Sequence, residues 1–574
     1  MKCTIVFTGT VLLIVLLVSP LFAAYHHEGE RDAAKFLDVY SEKAGTKLDH
    51  CALCHSGGQY NKGTDEDPKW VSLGSCQWCH YSYGYDGAGD IAETMNPYGI
   101  DYKDKGRNAA AIEAINSEDS DEDGYANGAE IAADRFPGDA DDDPSKVAAP
   151  YRVYTKAQLA AMPGHSQFML MNASRQTDDY VEYKGVPMED LLQDAGMLET
   201  ATSITVFAPD GWSNYHPLEE DPEEAEFYHV NGVYPEAVYY YHEEADIALN
   251  PEDGWCDYSA PSAKGRDDGD PIQVSGGLKM IVAYKRDGVY LQPGILNEDN
   301  KLDGEGPYRV VPPQKNPGPP DQGSRAVNQD VIWPYESSWD HNKGAASRSA
   351  TIVRVEPLPE GTTDINKLEA GWGYVDQAKI IVYGAIDGSD SNGNGVLDSE
   401  EGTDGNSDFD GDGTPDYQDT DTALVRHANG IDKVCLHTSG GAFTNIEALG
   451  DEDLAVPQEG KPASSFPYGT IKLKITGLNP GESVTLTMVF PDDVPARAEV
   501  YKIDAVDGWR EIPHTKNGPD SVTVTLTDGD PLTDGDGLED GTITDPTALA
   551  VPEVKKKSGG GGSSCFIDTV LNSL

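Results

Sequence analysis

Basic residues are scarce in this chain. Its 574 residues include 42 Lys and Arg against 99 Asp and Glu, a formal net charge of −57. So negative a surface repels phosphate backbones and anionic lipid headgroups, which argues against nucleic-acid or membrane-surface binding. It suits a secreted protein that collects divalent cations. Long apolar runs are equally short in supply: beyond the first two dozen residues, no stretch is long and apolar enough to span a bilayer. Cysteine is sparse, eight in all. Aromatic residues are not scarce: 29 Tyr, 8 Trp and 12 Phe can seed cores, which excludes wholesale disorder. The 61 Gly and 37 Pro imply many turns, hence β-rich domains and long loops. The length allows about three to five domains.

The N-terminus suggests a compartment. A short basic start, Met1-Lys2, precedes the apolar run Thr10 to Val18 and the segment Ser19-Pro20-Leu21-Phe22-Ala23-Ala24. This reads as a secretory signal peptide over 1–24, cleaved near Ala23 or Ala24, with a retained membrane anchor as the alternative. The chain is then exported, to the periplasm or the cell surface of a bacterium.

Four cysteines fall in two short motifs, Cys51-Ala-Leu-Cys54-His55 and Cys76-Gln-Trp-Cys79-His80. Both are C-x-x-C-H, the attachment pattern of c-type haem. Each thiol forms a thioether with one haem vinyl group, and the adjacent His (His55 or His80) becomes the proximal iron ligand. Two C-x-x-C pairs can also bind zinc. A His after each pair, behind a signal peptide, favours two covalent haems. Nearby candidates for the sixth ligands are His26, His27, His50 and Met95, with His27 and His50 preferred. The segment from Asp32 to Tyr40 reads as a helix able to carry His27 towards a haem, although either histidine can equally be a solvated surface residue.

Three acidic loops follow the pattern D-x-[DN]-x-[DN]-G. In the first, Asp119, Asp121, Asp123, Tyr125 (through its carbonyl), Asn127 and Glu130 occupy the liganding positions of a calcium loop, and Gly124 makes the turn. Ala109 to Ile115 reads as the entering helix and Ala129 to Phe136 as the leaving one. The second loop offers Asp390, Asn392, Asn394, Val396 and Glu401. The third offers Asp408, Asp410, Asp412, Thr414 and Asp419, ending in Asp where the pattern has Glu. A strand-like run, Ala378 to Tyr383, precedes the second loop. Loops two and three therefore read as helix-poor calcium repeats that stiffen a joint. The competing reading is an acidic linker.

Resemblances extend these readings. Residues 45–150 resemble a bacterial pattern in which a C-x-x-C-H segment runs into Asn-Pro-Phe/Tyr-Gly, here Asn96-Pro97-Tyr98-Gly99, and then into a calcium loop. Tyr183-Lys-Gly185-Val-Pro187, Val206-Phe-Ala-Pro-Asp210-Gly211-Trp212, Leu278 to Gly288 and Gly304-Glu305-Gly306-Pro307 together resemble the molybdopterin-binding domain of sulfite-oxidase-type oxidoreductases. Gly304-Glu-Gly-Pro307 behind two haem motifs resembles, more specifically, the GEGP-motif dihaem proteins over residues 25–385. The resemblance implies a mixed, β-rich fold. The catalytic relatives hold their metal through a cysteine in a basic, glycine-containing loop. Here the middle region has only Cys256, among Glu252, Asp253 and Asp257, so it reads as a non-catalytic relative. Trp333-Pro-Tyr335 and Asp340-His341-Asn342-Lys343 line a pocket or simply pack loops. Cys256 is either paired with Cys435 or free.

Further on, Ile471, Leu473 and Ile475, then Val484, Leu486 and Met488, then Val522, Val524 and Leu526 alternate with polar residues. This period of two marks half-buried strands and suggests a β-sandwich. Phe466-Pro-Tyr-Gly, Gly477-Leu-Asn-Pro-Gly481 and Ile543-Thr-Asp-Pro546 resemble the bacterial choice-of-anchor U domain. The Gly-rich stretch before Cys565-Phe-Ile resembles C-terminal sorting tails, with a disordered end as the alternative.

The expected organisation is therefore multidomain. A signal peptide (1–24) precedes a small α-helical dihaem cytochrome c module (25–105) and an EF-hand calcium module (106–150). A mixed α+β, sulfite-oxidase-like middle domain (151–385) and a calcium-loop linker (386–425) come next. A C-terminal β-sandwich (426–550) and a Gly-rich tail (551–574) complete it. The expected function is single-electron transfer to redox partner proteins or extracellular acceptors, with two haem c and structural calcium. The rivals are a haem-containing molybdopterin oxidoreductase and a surface binding or sensing protein with structural haems.

Overall fold

In a computed structural model, the described residues are 30–44, 46–49, 51–55, 59–61, 70–72, 94–173, 177–208, 213–220, 222, 227–234, 239–249, 256–296, 302–316, 318–320, 341–365, 371–403, 405, 407–451, 453, 456–504 and 508–552. The expected small α-helical dihaem module is not evident, and that expectation is corrected. The chain is β-rich, 34% strand against 16% helix, with several sheets; the β-rich middle and C-terminal parts fit the expectation only loosely. The helices of the N-terminal part, Glu30–Leu37, Pro97–Asp104, Ala109–Ile115 and Asn127–Ala132, run six to eight residues. Helices that short are marginal in water and depend on tertiary packing. A two-stranded hairpin, Gln59–Asn61 with Trp70–Ser72, lies between the two cysteine motifs.

The short N-terminal helices share one small core. Phe36, Leu48, Leu53, Tyr98, Ile112, Ile131 and Phe136 pack together, so residues on both sides of position 105 form one cluster. Asp142 ties it down. Its Oδ2 accepts from Lys47 Nζ at 2.6 Å and from the Phe136 amide at 2.9 Å, and its Oδ1 accepts from Thr363 Oγ1 of the middle region. The Lys47 side chain is wholly buried and that of Asp142 is 5% exposed. A short parallel pairing of Val147–Ala148 with Thr362–Thr363 continues the tie.

The middle region holds two sheets around a large shared core. One runs Cys256–Asp257, Asp178–Pro187, Ile281–Arg286, Arg309–Val311, Ser347–Arg348, with His165–Met171 also paired to Asp178–Pro187. The other runs Tyr151–Thr155, Lys379–Gly384, Ile352–Glu356, Ser203–Phe207, Ser213–Pro217. Lys379–Gly384 is buried at every position, as a strand covered on both faces must be. Gly304-Glu305-Gly306-Pro307 braces the first sheet. Glu305 takes Arg286 at 2.6 Å, Arg309 at 3.1 Å and the Tyr183 hydroxyl at 3.0 Å. Burial alone would raise its carboxyl, but the two guanidiniums hold it below the usual range. A Cβ on Gly304 would lie 2.8 Å from the Pro293 carbonyl, and one on Gly306 would lie 2.7 Å from that of Leu291.

At the C-terminus, two antiparallel sheets of five and six strands close on one core. Strands Thr470–Thr476, Ser483–Val489 and Ser521–Thr527 carry the alternating apolar residues read from the sequence. Arg426 joins this body to the middle region through both oxygens of Asp194, at 2.9 and 3.2 Å, and Lys379 pairs with Asp453.

Removing one partner of a buried ion pair leaves an uncompensated charge. Asp142→Ala is therefore expected to destabilise the N-terminal unit by about 3–5 kcal/mol. Urea unfolding followed by fluorescence should show it; an unchanged first transition would contradict this role for Asp142.

Candidate haem and metal sites

The first cysteine motif forms a single tight turn, Cys51–Cys54. His55 follows, 8% exposed, with Nδ1 3.1 Å from the Thr94 carbonyl and 3.0 Å from its hydroxyl. A carbonyl only accepts, so the proton sits on Nδ1 and the lone pair on Nε2. Burial pushes the imidazole down to about 4, the Thr94 carbonyl opposing. Near neutral pH the ring is neutral, the form that ligates a metal.

The Asn96-Pro97-Tyr98-Gly99 segment clamps this turn. Asn96 caps helix Pro97–Asp104 by accepting from the Gly99 amide at 2.8 Å, while its Nδ2 donates to the Leu53 carbonyl at 3.0 Å. Pro97 begins the helix, where a missing N–H costs nothing. The Asn96 amide donates to the Cys54 carbonyl at 2.9 Å. A Cβ at Gly99 would lie 2.4 Å from that same carbonyl oxygen, so only glycine lets the helix approach so closely. Sequence reasoning singled out the segment but missed Thr94, which carries no motif of its own. Cys76, Cys79, His80, His27 and His50 lie outside the described residues. Met95 lies between Thr94 and Asn96 and is half-buried.

The first calcium-type loop sits between helices Ala109–Ile115 and Asn127–Ala132. The second helix is shorter than the sequence suggests, stopping before Asp134, whose φ is +58°. Carboxylate oxygens of Asp119, Asp121 and Asp123 converge within 4.8 Å of one another. The Gly124 amide donates to Asp119 at 3.0 Å, and Gly124 takes a φ of +103° that side chains avoid. Glu130 is fully buried, and neither of its side-chain oxygens has a hydrogen-bond partner; Asp121 Oδ2 and Asp123 Oδ2 are in the same condition. Burial first, then Asp121, Asp123 and Asp119, pushes the Glu130 carboxyl up to about 9. Burial and Asp123 likewise push Asp121 up to about 6. Three converging acids, with a buried Glu130 beside them whose oxygens lack donors, suit a hard divalent cation. Asn127 plays a different part: its Oδ1 accepts from the Ser120 amide at 3.1 Å and its Nδ2 donates to the Ile115 carbonyl at 2.8 Å. Tyr125 is exposed, and its amide donates to Asp123 at 2.8 Å.

Loop two is arranged otherwise. Glu401 is 2% exposed, but Asn392 Nδ2, Asn394 Nδ2 and the Leu424 amide donate to it at 3.1, 3.0 and 3.1 Å. Burial still pushes its carboxyl up to about 7. A cation here would need both amides to turn their oxygens inward. Asp390 accepts from the Gly395 amide at 2.9 Å, and Val396 is buried in the C-terminal core. In loop three, Asp408, Asp410 and Asp412 converge within 4.8 Å but are exposed. Thr414 donates its amide to Asp412 at 2.7 Å, and Asp419 accepts from the Asp421 amide at 3.1 Å. Asp410 also approaches Asp421 and His437. The residue nine positions into each loop, Asn127, Asp398 and Asp416, accepts from the backbone amide at position two. That shared brace was not foreseen for Asp398 or Asp416.

The middle region does not fit a molybdenum site at Cys256. The thiol is buried beside Asp178, Asp179 and Asp246, and burial, then those carboxylates, pushes it well above its ordinary range. A ligating thiolate needs cationic neighbours instead. Cys256 and Cys435 are both free thiols. Trp333, Tyr335 and Asp340 lie outside the described residues. His341 precedes the turn Asn342–Ala345, and Asn342 is buried, accepting from the Asn172 amide at 2.9 Å. No protein-family model matches the chain, and no curated protein matches it. Among the described residues, no helix is long and apolar enough to cross a membrane.

Calcium should stabilise the chain by mass action, about 2.7 kcal/mol at one hundred times Kd. Glu130→Gln should reverse sign with conditions. In calcium it should melt below the parent; in chelator it should melt at or above it, having lost a buried, partnerless carboxylate. Calorimetric scans in both buffers read this, and an identical calcium shift in parent and variant would remove Glu130 from the site.

Proposed function

We propose that the chain is an exported two-haem protein that carries single electrons between partner proteins or extracellular acceptors, with calcium in its acidic loops as a structural ion. The observation that supports this best is the buried, neutral His55, oriented by Thr94 at the end of the Cys51–Cys54 turn. Cys51 and Cys54 would hold one haem and His55 its iron; Cys76, Cys79 and His80 repeat the same pattern in sequence for a second. Haem so bound supplies a one-electron couple. The chain's own contribution is a tight turn, a fixed tautomer and a nearly dry imidazole, a state that discourages protonation and loss of the ligand. The acidic surface favours positively charged partners and makes association salt-dependent.

Protein matured in a host that attaches haem should carry two covalent haems per chain, measured as the pyridine haemochrome after acid-acetone extraction. Cys51→Ala with Cys54→Ala should leave one, and so should Cys76→Ala with Cys79→Ala. The matured protein should contain iron and calcium without molybdenum, and should accept electrons from a one-electron dye and pass them on. Protein lacking covalent haem under those conditions, or stoichiometric molybdenum, would overturn the reading.

A further inference from the structure

The core of the C-terminal body contains a lysine facing an aspartate, with no role in the sites above. Lys502 lies on strand Glu499–Asp504 and Asp545 on its neighbour, Ile543–Pro552. In register Lys502 stands opposite Thr547, two residues beyond Asp545, so all three project from the same face. Val500 and Leu549, at neighbouring positions on that face, belong to the apolar core between the sheets. Lys502 and Asp545 are both 0% exposed.

The pair is poorly made as an ion pair. Nζ lies 3.8 Å from Oδ1, beyond hydrogen-bond length, and Oδ1 accepts no hydrogen bond. Oδ2 is held separately by the Thr547 hydroxyl at 2.5 Å. Two opposite charges at this separation attract each other less than in hydrogen-bonded contact. Moving one proton from the ammonium to the carboxylate neutralises both groups. Burial favours that state, lowering an amine's affinity for protons and raising a carboxyl's. Burial does push the Asp545 carboxyl up to about 6; Lys502 and Thr547 oppose the rise, and Asp534, itself buried, adds to it.

In the fraction of molecules where that proton has moved, a neutral amine lies beside a neutral carboxylic acid in a dry core, an acyl-transfer pair held in place. We propose that Lys502 and Asp545 join in an intramolecular amide bond between Nζ and Cγ. The nitrogen lone pair attacks Cγ, the new C–N bond forms, and the C–O bond to the departing hydroxyl breaks. That hydroxyl leaves with a proton from nitrogen as one molecule of water, and nothing is oxidised or reduced. Thr547, donating to the other oxygen, stabilises the negative charge that develops there during attack. The bond ties the last described strand, which is hydrogen-bonded between Thr470–Thr476 and Glu499–Asp504, covalently to the latter.

Tryptic peptide mapping of the full, denatured and reduced chain tests this. The expected product is a branched pair of peptides, one water lighter than their sum, with fragment ions placing the junction at Lys502 and Asp545 and no cleavage after Lys502. Lys502→Met and Asp545→Ala should each abolish the branched product and lower the melting temperature. If either variant fails to fold, the map of the parent chain still decides. Linear peptides carrying unmodified Lys502 and Asp545 as the sole products would overturn the proposal and leave the pair as a buried ion pair.

Discussion

A carboxylate that leaves water needs a positive charge or a set of hydrogen-bond donors, and this chain has 99 acids with 42 basic residues to serve them. That imbalance organises the interior. Lys47 meets Asp142, Arg286 and Arg309 meet Glu305, Lys379 meets Asp453, and Arg152 and Arg426 meet Asp194. Most of these pairs join segments distant in sequence; Arg309 and Glu305 are only four residues apart, and both also reach Tyr183 on another strand. Glu130 is a buried acid whose carboxylate oxygens meet neither a basic side chain nor any hydrogen-bond donor among the described residues, and four more acids act on it. It can be neutralised by a proton, which its raised affinity favours, or by a cation from solution. Loop one thus answers the same electrostatic demand that the ion pairs between segments answer, without a basic residue of its own.

Loop two shows how the same sequence pattern reaches a different physical solution. Its terminal glutamate is satisfied by two asparagine amides and a strand amide. The strand is Thr422–Arg426, at the edge of its sheet, and edge amides invite pairing with other chains. Glu401 accepts from the Leu424 amide and Glu400 from that of Arg426, at 3.1 and 3.3 Å. Asn392 also donates to the Asp416 and Asp419 carbonyls, locking loops two and three together. The acidic segment therefore caps a sheet edge and does not hang between domains. Calcium there would rigidify a cap that already stands, whereas in loop one it would relieve a charge.

What could be read from the sequence follows the range of the interactions. Alternation along Thr470–Thr476 or Ser521–Thr527 is a local consequence of one buried face, and it was plain. The acidic loops with their turn glycines were plain because their residues sit at fixed short spacings. The helix read over Asp32 to Tyr40 exists as Glu30–Leu37, since periodicity places a helix better than it places its ends. The helical character of the whole N-terminal part was overread. Its helices are short and sit in one small core that joins residues such as Phe36 and Phe136, far apart in sequence. Thr94 behind His55 and Asp545 beside Lys502 were not legible at all. Both relations span about forty residues and arise only when the chain has folded.

The Gly304-Glu305-Gly306-Pro307 segment separates specificity of sequence from chemistry of function. Each of its first three residues has a local reason. Gly304 and Gly306 pass within van der Waals distance of the Pro293 and Leu291 carbonyls, where a Cβ would collide. Glu305 anchors two arginines and a tyrosine across three strands, and the Gly306 carbonyl accepts from the Ser349 hydroxyl at 2.7 Å. No part of this needs a ligand, and the carboxylate is held ionised by its guanidiniums, as a structural brace requires. The Cys51–Cys54 turn differs. Its neighbours hold its backbone, and Thr94, from well outside the motif, orients the imidazole of His55 through Nδ1. A carboxylate held ionised by guanidiniums is in the state a brace requires, whereas an imidazole held neutral in one tautomer is in the form that can ligate a metal.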